Sequence, residues 1–178
     1  MKKKALILFG MIFYLILVGC ASVAVRVDYD EAAVFTDYQS FHFVRPKRQQ
    51  GRGAVRNPLV TKEILREIKP IMEAKEYTEA ASQNDADLLV VFYAMVQNRR
   101  DFVSPTYRVG RWGRVRRTSP GRVVRYKEGT LVIDMVDNKK KELVWQGVGT
   151  GVLDRSDPAG NLVEAVEKIL EKFPPEQE

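Results

Sequence analysis

Apolar residues alternate with polar or small residues in several segments of the chain. This two-residue period predicts five β-strands, over residues 22–30, 40–44, 86–97, 129–137 and 142–153. The segment 86–97 is dense in apolar residues, as in a central strand that is buried on both faces for part of its length. The polar residues 138–141 join the last two segments as a β-hairpin.

Two further segments carry apolar residues at helical spacing. The first helix is predicted to begin at Asn57-Pro58, with the Asn as N-cap, and to end near Tyr77. Pro70 lies inside this pattern and predicts a kink or a division of the helix. The second helix is predicted to begin at Asp157-Pro158 and to stop before Pro174-Pro175. The order of elements predicts an α+β fold, a mainly antiparallel sheet of about five to six strands with two helices packed on one face.

Glycines occupy alternate positions of the last predicted strand. Gly147, Gly149 and Gly151 are predicted to share one face with Leu143 and Trp145. Glycine weakens a strand interior, so this stripe indicates that another element comes close to the sheet. A packed helix is one explanation of the stripe, and a platform for a ligand is the other.

The first twenty residues resemble a bacterial lipoprotein leader. Residues 1–4 are basic, and the 14 apolar residues 5–18 would span roughly 21 Å as a helix, short of the ~30 Å bilayer core. The sequence Leu-Val-Gly-Cys at 17–20 resembles a lipobox, which implies cleavage between Gly19 and Cys20 and lipid attachment to Cys20. Ala21 implies sorting to the outer membrane, facing the periplasm, if the source is Gram-negative. A plain secretory signal or an uncleaved anchor are the alternatives.

The domain boundaries follow from this leader. Residues 1–19 are predicted to be the signal peptide, and 20–23 the lipidated N-terminus with a short tether. Residues 24–175 are predicted to form a single domain, followed by the tail 176–178. Removing residues 1–19, which carry three Lys, reduces the 178 residues to 159 and the formal charge of +6 to +3. A globular domain of this size buries about two-thirds of its surface on folding and needs no disulfide.

The remaining charge is unevenly distributed. Residues 45–56 form a basic loop of charge +5, residues 99–127 carry +9, and the rest of the mature chain carries −11. The Arg-rich insertion 99–127 is predicted to be an irregular hairpin or a long loop. Arg recognises phosphate and carboxylate through its planar fork, which predicts anion binding by the following arginines: Arg108, Arg111, Arg114, Arg116, Arg117, Arg122 and Arg125. Pairing with acidic residues of the same chain is the alternative explanation.

Several segments together resemble a bacterial lipoprotein family that shares the domain of unknown function 4136. The resemblance rests on VRVDYD at 25–30, FHFV at 41–44, NPLVTKEI at 57–64, ADLLVVFYA at 86–94, and the segments 126–153 and 165–175. It covers nearly all of the mature chain and implies a fold and a location. It brings no catalytic residues.

Composition and motifs exclude many kinds of chemistry. The single Cys cannot form an internal disulfide, and the single His, His42, is interpreted as an exposed or hydrogen-bonded strand residue. The sequence contains no G-x-S-x-G, P-loop or dinucleotide-binding motif. Asp28 and Asp134 are candidates for two-carboxylate glycan hydrolysis, but nothing in the sequence places them together. No cofactor and no metal are therefore expected.

We therefore predict a non-catalytic binding or structural module, anchored in the bacterial cell envelope through Cys20. Its expected partners are the membrane and an anionic envelope component or an envelope protein. Export argues against nucleic acid. A carboxylate-dependent envelope hydrolase is the alternative, and the oligomeric state stays open.

Overall fold

A computed structural model describes residues 23–44, 54–55, 57–104, 106–109, 115–120, 122–153 and 158–176. The predicted signal peptide, the cleavage site at Gly19, the lipid attachment at Cys20 and most of the basic loop 45–56 lie outside the described residues. In the described part of the chain, no helix is both long enough and apolar enough to cross a bilayer.

The described residues form eight strands and two α-helices. The strands are β1 (Val23–Tyr29), β2 (Ser40–Phe43), β3 (Thr78–Glu79), β4 (Leu88–Val103), β5 (Thr106–Val109), β6 (Val115–Ser119), β7 (Arg122–Asp137) and β8 (Glu142–Val152). The helices are α1 (Pro58–Ala74) and α2 (Pro158–Leu170). Six strands form one sheet in the order β1-β8-β7-β4-β2-β3, and β5 and β6 form a separate two-stranded sheet. The predicted α+β class is confirmed.

The main sheet is mixed, so the prediction of a mainly antiparallel sheet was wrong. β1, β8, β7 and β4 pair antiparallel, whereas β2 is parallel to both β4 and β3. α1 lies between β2 and β3 in the sequence, and such a helical crossover lets the chain re-enter the sheet in the same direction. The predicted strands 40–44 and 86–97 flank this helix, but their residue pattern does not show that they lie side by side, so the parallel pairing was missed.

The hydrophobic core lies against one face of the main sheet. Alternate residues of β4 and β7, among them Val90 and Ile133, are buried, and most of their neighbours on the other face are half-exposed. Leu89, near the start of β4, is buried on that other face. The buried residues of α1, which are Ile64, Ile68 and Met72, belong to the same cluster as those of the sheet. The predicted N-cap is confirmed, since Asn57 Oδ1 accepts a hydrogen bond from the Leu59 N–H at 2.9 Å. α1 continues through Pro70 as one helix.

A β-bulge in β8 places Leu143 differently from the sequence prediction. The register between β7 and β8 shifts between Met135 and Val136, so that Trp145 lies opposite Met135 and Leu143 opposite Val136. Val144 is the extra residue of β8, and it reverses the sheet face on which the preceding residues of β8 lie. Trp145 is therefore fully buried, whereas Leu143 is 50% exposed and does not share a face with the glycines.

The glycine stripe brings α2 close to β8. A Cβ atom at Gly147 would overlap the Ile169 Cγ2 atom and the Trp145 ring, and one at Gly149 would lie 2.9 Å from Ile169 Cδ1. Ile169 is itself fully buried. The packed-helix explanation of the stripe therefore holds at these two positions.

A polar anchor ties β2 to the start of β4. Asp87 Oδ2 accepts hydrogen bonds from the Ser40 hydroxyl at 2.7 Å and from the backbone N–H groups of Ser40 and Gln39 at 3.1 and 3.2 Å. The Ser40 hydroxyl lowers the pKa of Asp87, and the two N–H groups add to this against the opposing effect of burial. The carboxylate is thereby stabilised where the parallel pairing begins.

Gly147→Ala should destabilise the protein by about 1–3 kcal/mol, because the new methyl group displaces Ile169 or Trp145 in a close-packed core. The free energy of unfolding from urea denaturation measures this cost. Val148→Ala, which alters a half-exposed residue on the other face of the same strand, is the matched control and should cost less. Equal losses in the two variants would contradict the close approach of α2.

Candidate functional site

β4 and β7 extend beyond the end of β8, the strand that pairs with β7 on its other side. β8 ends at Val152, which lies opposite Glu128, and the Leu153 N–H donates to the Lys127 carbonyl at 2.9 Å. Beyond this point, residues 98–103 pair with 122–127, and no other described strand pairs with them. They form a two-stranded ribbon of about 20 Å. Part of the predicted insertion 99–127 is thus regular strand.

One face of the ribbon is basic. Directly opposite residues share a face, and three such pairs lie on the face that continues the buried side of the sheet: Asn98 with Lys127, Arg100 with Arg125, and Phe102 with Val123. All six residues are exposed, and Phe102 and Val123 are each 61% exposed. This basic face therefore presents three cations followed by an exposed apolar tip, and it contains no acid.

The opposite face of the ribbon is electrostatically balanced. Arg99 forms an ion pair with Glu128 at 2.8 Å, and Asp101 lies on the same face. Like charges directly opposite each other, as with Arg100 and Arg125, destabilise a pair of strands. Among the described residues, none of the ion pairs involves Arg100, Arg125 or Lys127. The basic face is therefore suited to an external anion.

The structure places only part of the predicted arginine set. Arg125 lies on the basic face, whereas Arg122 lies opposite Val103 on the other face. Arg108 pairs with Arg116 in the register of β5 and β6, where Arg117 pairs with Tyr107. Arg111 and Arg114 lie outside the described residues. Their anion binding stays a prediction.

The sequence reasoning missed Arg100 and Lys127 as members of a site. Both are on the basic face with Arg125. A signal was available in β7, where Val124 and Tyr126 alternate with Arg125 and Lys127. Residues 98–101 are all polar and show no alternation. The Arg-rich segment was instead interpreted as an irregular hairpin or a long loop.

An apolar cavity of about 410 Å³ lies beside the base of the ribbon. Ala94, Val96, Gly129 and Leu131 line it from the same sheet face that carries the basic residues further along. Both helices, β1 and β8 contribute further lining residues, which are Val23, Leu59, Val60, Glu63, Gly149, Gly151, Asn161, Leu162 and Ala165, and Val55, Met95, Thr130 and Leu153 complete the lining. The glycine stripe therefore admits a helix at Gly147 and borders an open volume at Gly151.

The opposite sheet face carries a row of polar residues. Asp28, Gln146 and Asp134 lie directly opposite one another on β1, β8 and β7. The two carboxylates are therefore two strand spacings apart, about 10 Å. Gln146 Nε2 donates to Asp134 Oδ1 at 2.8 Å, so an amide occupies the position between them. The sequence left open whether Asp28 and Asp134 lie together, and the fold places them in one row.

Burial dominates the electrostatics of Asp134. It raises the pKa of the carboxyl, and the hydrogen bond from Gln146 opposes the shift. Burial, followed by the charge of Asp134, raises the pKa of Tyr93, which lines a cavity of about 240 Å³ with Asp134 and Gln146. His42 Nδ1 lies 3.0 Å from the Ala80 carbonyl oxygen, as expected of a hydrogen-bonded strand residue. Within the described residues, no group of three or more His, Cys, Asp or Glu could hold a metal ion.

The fold and these surfaces define an α+β domain with a basic ribbon and an apolar cavity. A family model described as a domain of unknown function (DUF4136) matches residues 25–175. The chain belongs to this family, and the resemblance identified from the sequence is confirmed. None of the curated proteins matches the sequence.

Solved structures share the fold at low identity. A DUF4136 family protein from Bacteroides thetaiotaomicron is 19% identical, with a TM-score of 0.54 over 86% of this chain and 96% of that chain. A PDZ domain protein from Parabacteroides distasonis is 15% identical, with a TM-score of 0.57 over 89% of this chain and 36% of that chain. The chain thus spans about a third of the second protein. At these identities the likeness concerns the fold alone.

Asp134→Asn should stabilise the protein at neutral pH. The raised pKa means that the folded state binds a proton more readily than the unfolded state, so stability falls as pH rises from the ordinary Asp value of about 4 through the folded value. An amide does not titrate there, and its oxygen still accepts from Gln146.

The advantage of Asp134→Asn should therefore disappear below about pH 4. Thermal unfolding of both proteins between about pH 3 and pH 7 tests this. Asp28→Asn, which alters an exposed carboxylate in the same row, is the control and should change unfolding little. A neutral-pH loss of stability in Asp134→Asn would contradict the desolvation argument.

Proposed function

We propose that this protein is a non-catalytic envelope lipoprotein, anchored through Cys20, whose basic ribbon binds anionic lipid headgroups. The basic face carries the proposal. Lys127 comes first along the ribbon, the opposed pair Arg100 and Arg125 lies two residues further, and the exposed pair Phe102 and Val123 follows after two more. Cations next to exposed apolar side chains suit the boundary between phosphate headgroups and acyl chains.

The anchor supports the same location. Cys20 precedes Val23, the first residue of β1, by three residues, a reach of at most about 11 Å. An acylated Cys20 would therefore hold the sheet close to the bilayer. Three acyl chains, or two, give a durable anchor where one is marginal. Because residue 21 is Ala, we also propose that the protein is sorted to the periplasmic face of the outer membrane.

In this proposal, both helices cover the buried face of the sheet. The basic face then lies beyond the covered part of the sheet, because it continues the same side of β4 and β7. The carboxylate-dependent hydrolase is less well supported, since Gln146 rather than a second carboxylate holds Asp134.

Cys20→Ala should block processing after Gly19 and abolish acyl labelling. The thiol is the acceptor of the diacylglyceryl group, and cleavage follows its modification. Metabolic labelling with an alkyne fatty acid and the apparent mass of the product in bacterial cells measure both effects. Ser22→Ala, two residues away, should be labelled and processed normally. Labelling of Cys20→Ala at the wild-type level would refute the lipobox.

Binding of the ribbon to anionic lipid can be read from a dye at its tip. A Phe102→Cys variant offers one free thiol once Cys20 is acylated, and an environment-sensitive fluorophore there should shift to the blue in nanodiscs that contain phosphatidylglycerol. Arg100→Gln with Arg125→Gln should lower the ratio of bound to free ribbon roughly 30-fold, at about 1 kcal/mol per cation near an anionic surface.

Two controls make this test specific. Lys139→Gln with Lys140→Gln removes the same charge at the hairpin turn, the other end of β7, and should leave the emission unchanged. High salt should reverse the shift, because exposed charges are screened. An emission that does not depend on phosphatidylglycerol would count against the ribbon as the binding surface.

A further inference from the structure

The apolar cavity beside the ribbon has the size of a ligand site. Its volume of about 410 Å³ falls within the ~300–1,000 Å³ typical of ligand pockets. The described lining is apolar apart from Glu63, Thr130 and Asn161. Ligand pockets are typically lined by apolar side chains with a few polar groups. The cavity therefore suits an aliphatic chain better than a polar metabolite.

The cations of the ribbon stand next to this cavity. Gly129 lines the cavity, and Lys127 follows two residues along the same face of β7, about 7 Å away. Arg125 and its partner Arg100 follow about 7 Å further. An apolar cavity and then three cations lie along one face of the β4–β7 pair, and this arrangement matches the acyl chain and the phosphate of an anionic amphiphile.

The anchor places the cavity where such a molecule is abundant. Val23 is part of the cavity lining, and Cys20 lies three residues before it. With Cys20 acylated, the cavity lining would begin within about 11 Å of the anchored residue. A lipid could then enter the cavity directly from the bilayer surface.

We propose that the cavity takes one acyl chain of an anionic membrane lipid, whose phosphate binds Lys127, Arg100 and Arg125. This inference rests on the proposed function, and it adds the class of ligand and a second binding element. The ribbon holds the headgroup at the membrane surface, and the cavity between the helices and the sheet withdraws one chain from the bilayer. No covalent step is involved.

Photocrosslinking in nanodiscs tests the proposal with the full-length, acylated protein. The probe is phosphatidylglycerol with a diazirine in one acyl chain, and peptide mapping locates the label. The expected label falls on residues 94–96, 129–131 and 161–165 of the cavity. The same diazirine chain on phosphatidylcholine should label these residues at least fivefold less.

Two variants obstruct the cavity in different ways. Ala165→Phe fills it from α2, and Leu59→Glu places a carboxylate at a lining position that is 73% exposed. Each should reduce the cavity label at least fivefold, and the exposed position makes Leu59→Glu tolerable if Ala165→Phe does not fold. Leu143→Glu, at an exposed apolar residue outside the lining, is the control and should keep the label.

The outcomes separate this inference from the proposed function. Label on 98–103 and 122–127 without label in the cavity overturns the inference and leaves headgroup binding by the ribbon intact. A cavity that excludes the probe because the protein's own acyl chain or a second copy fills it overturns the inference too. Equal cavity labelling from both lipids does the same. Loss of both the label and the dye shift at Phe102→Cys overturns both proposals.

Discussion

The close approach of α2 to β8 is the contact on which the rest of the domain depends. Ile169 lies where side chains at Gly147 and Gly149 would otherwise stand. Because these two residues have no side chains, the helix packs directly on the sheet. Trp145 and Phe173 complete the core there, with ring centroids 5.1 Å apart. Because the stripe continues after the contact ends, the same feature that seats the helix also borders the open cavity.

A second constraint is the unequal length of neighbouring strands. β4 and β7 run past the end of β8, and a strand pair without a third strand has no further sheet surface to bury its side chains. The face that would have been core therefore becomes exposed and basic at Arg100 and Arg125. The basic face and the cavity both lie along one continuous sheet face, which passes from buried to exposed within β4 and β7.

Much of the fold could be predicted from local pattern. Strand alternation, the cap at Asn57 and the central position of β4 depend on neighbouring residues and were identified from them. The parallel pairing of β2 with β4 depended on which strands lie side by side across α1, and the position of Leu143 depended on a bulge one residue long. Neither produces a periodic signal. In the candidate site, Arg125 was included, whereas Arg100 was not, because the two meet only through strand register.

The sequence by itself determined the class of the fold, its principal strands and helices, the family, and the expectation of a lipidated Cys20. These properties can be identified from short segments, since periodicity, capping and a lipobox involve residues within a few positions of one another. Only the tertiary structure decided that the sheet is mixed, that three cations share a face, and that an apolar cavity adjoins them. Those properties depend on which distant strands lie side by side, and local residue order does not encode that choice visibly.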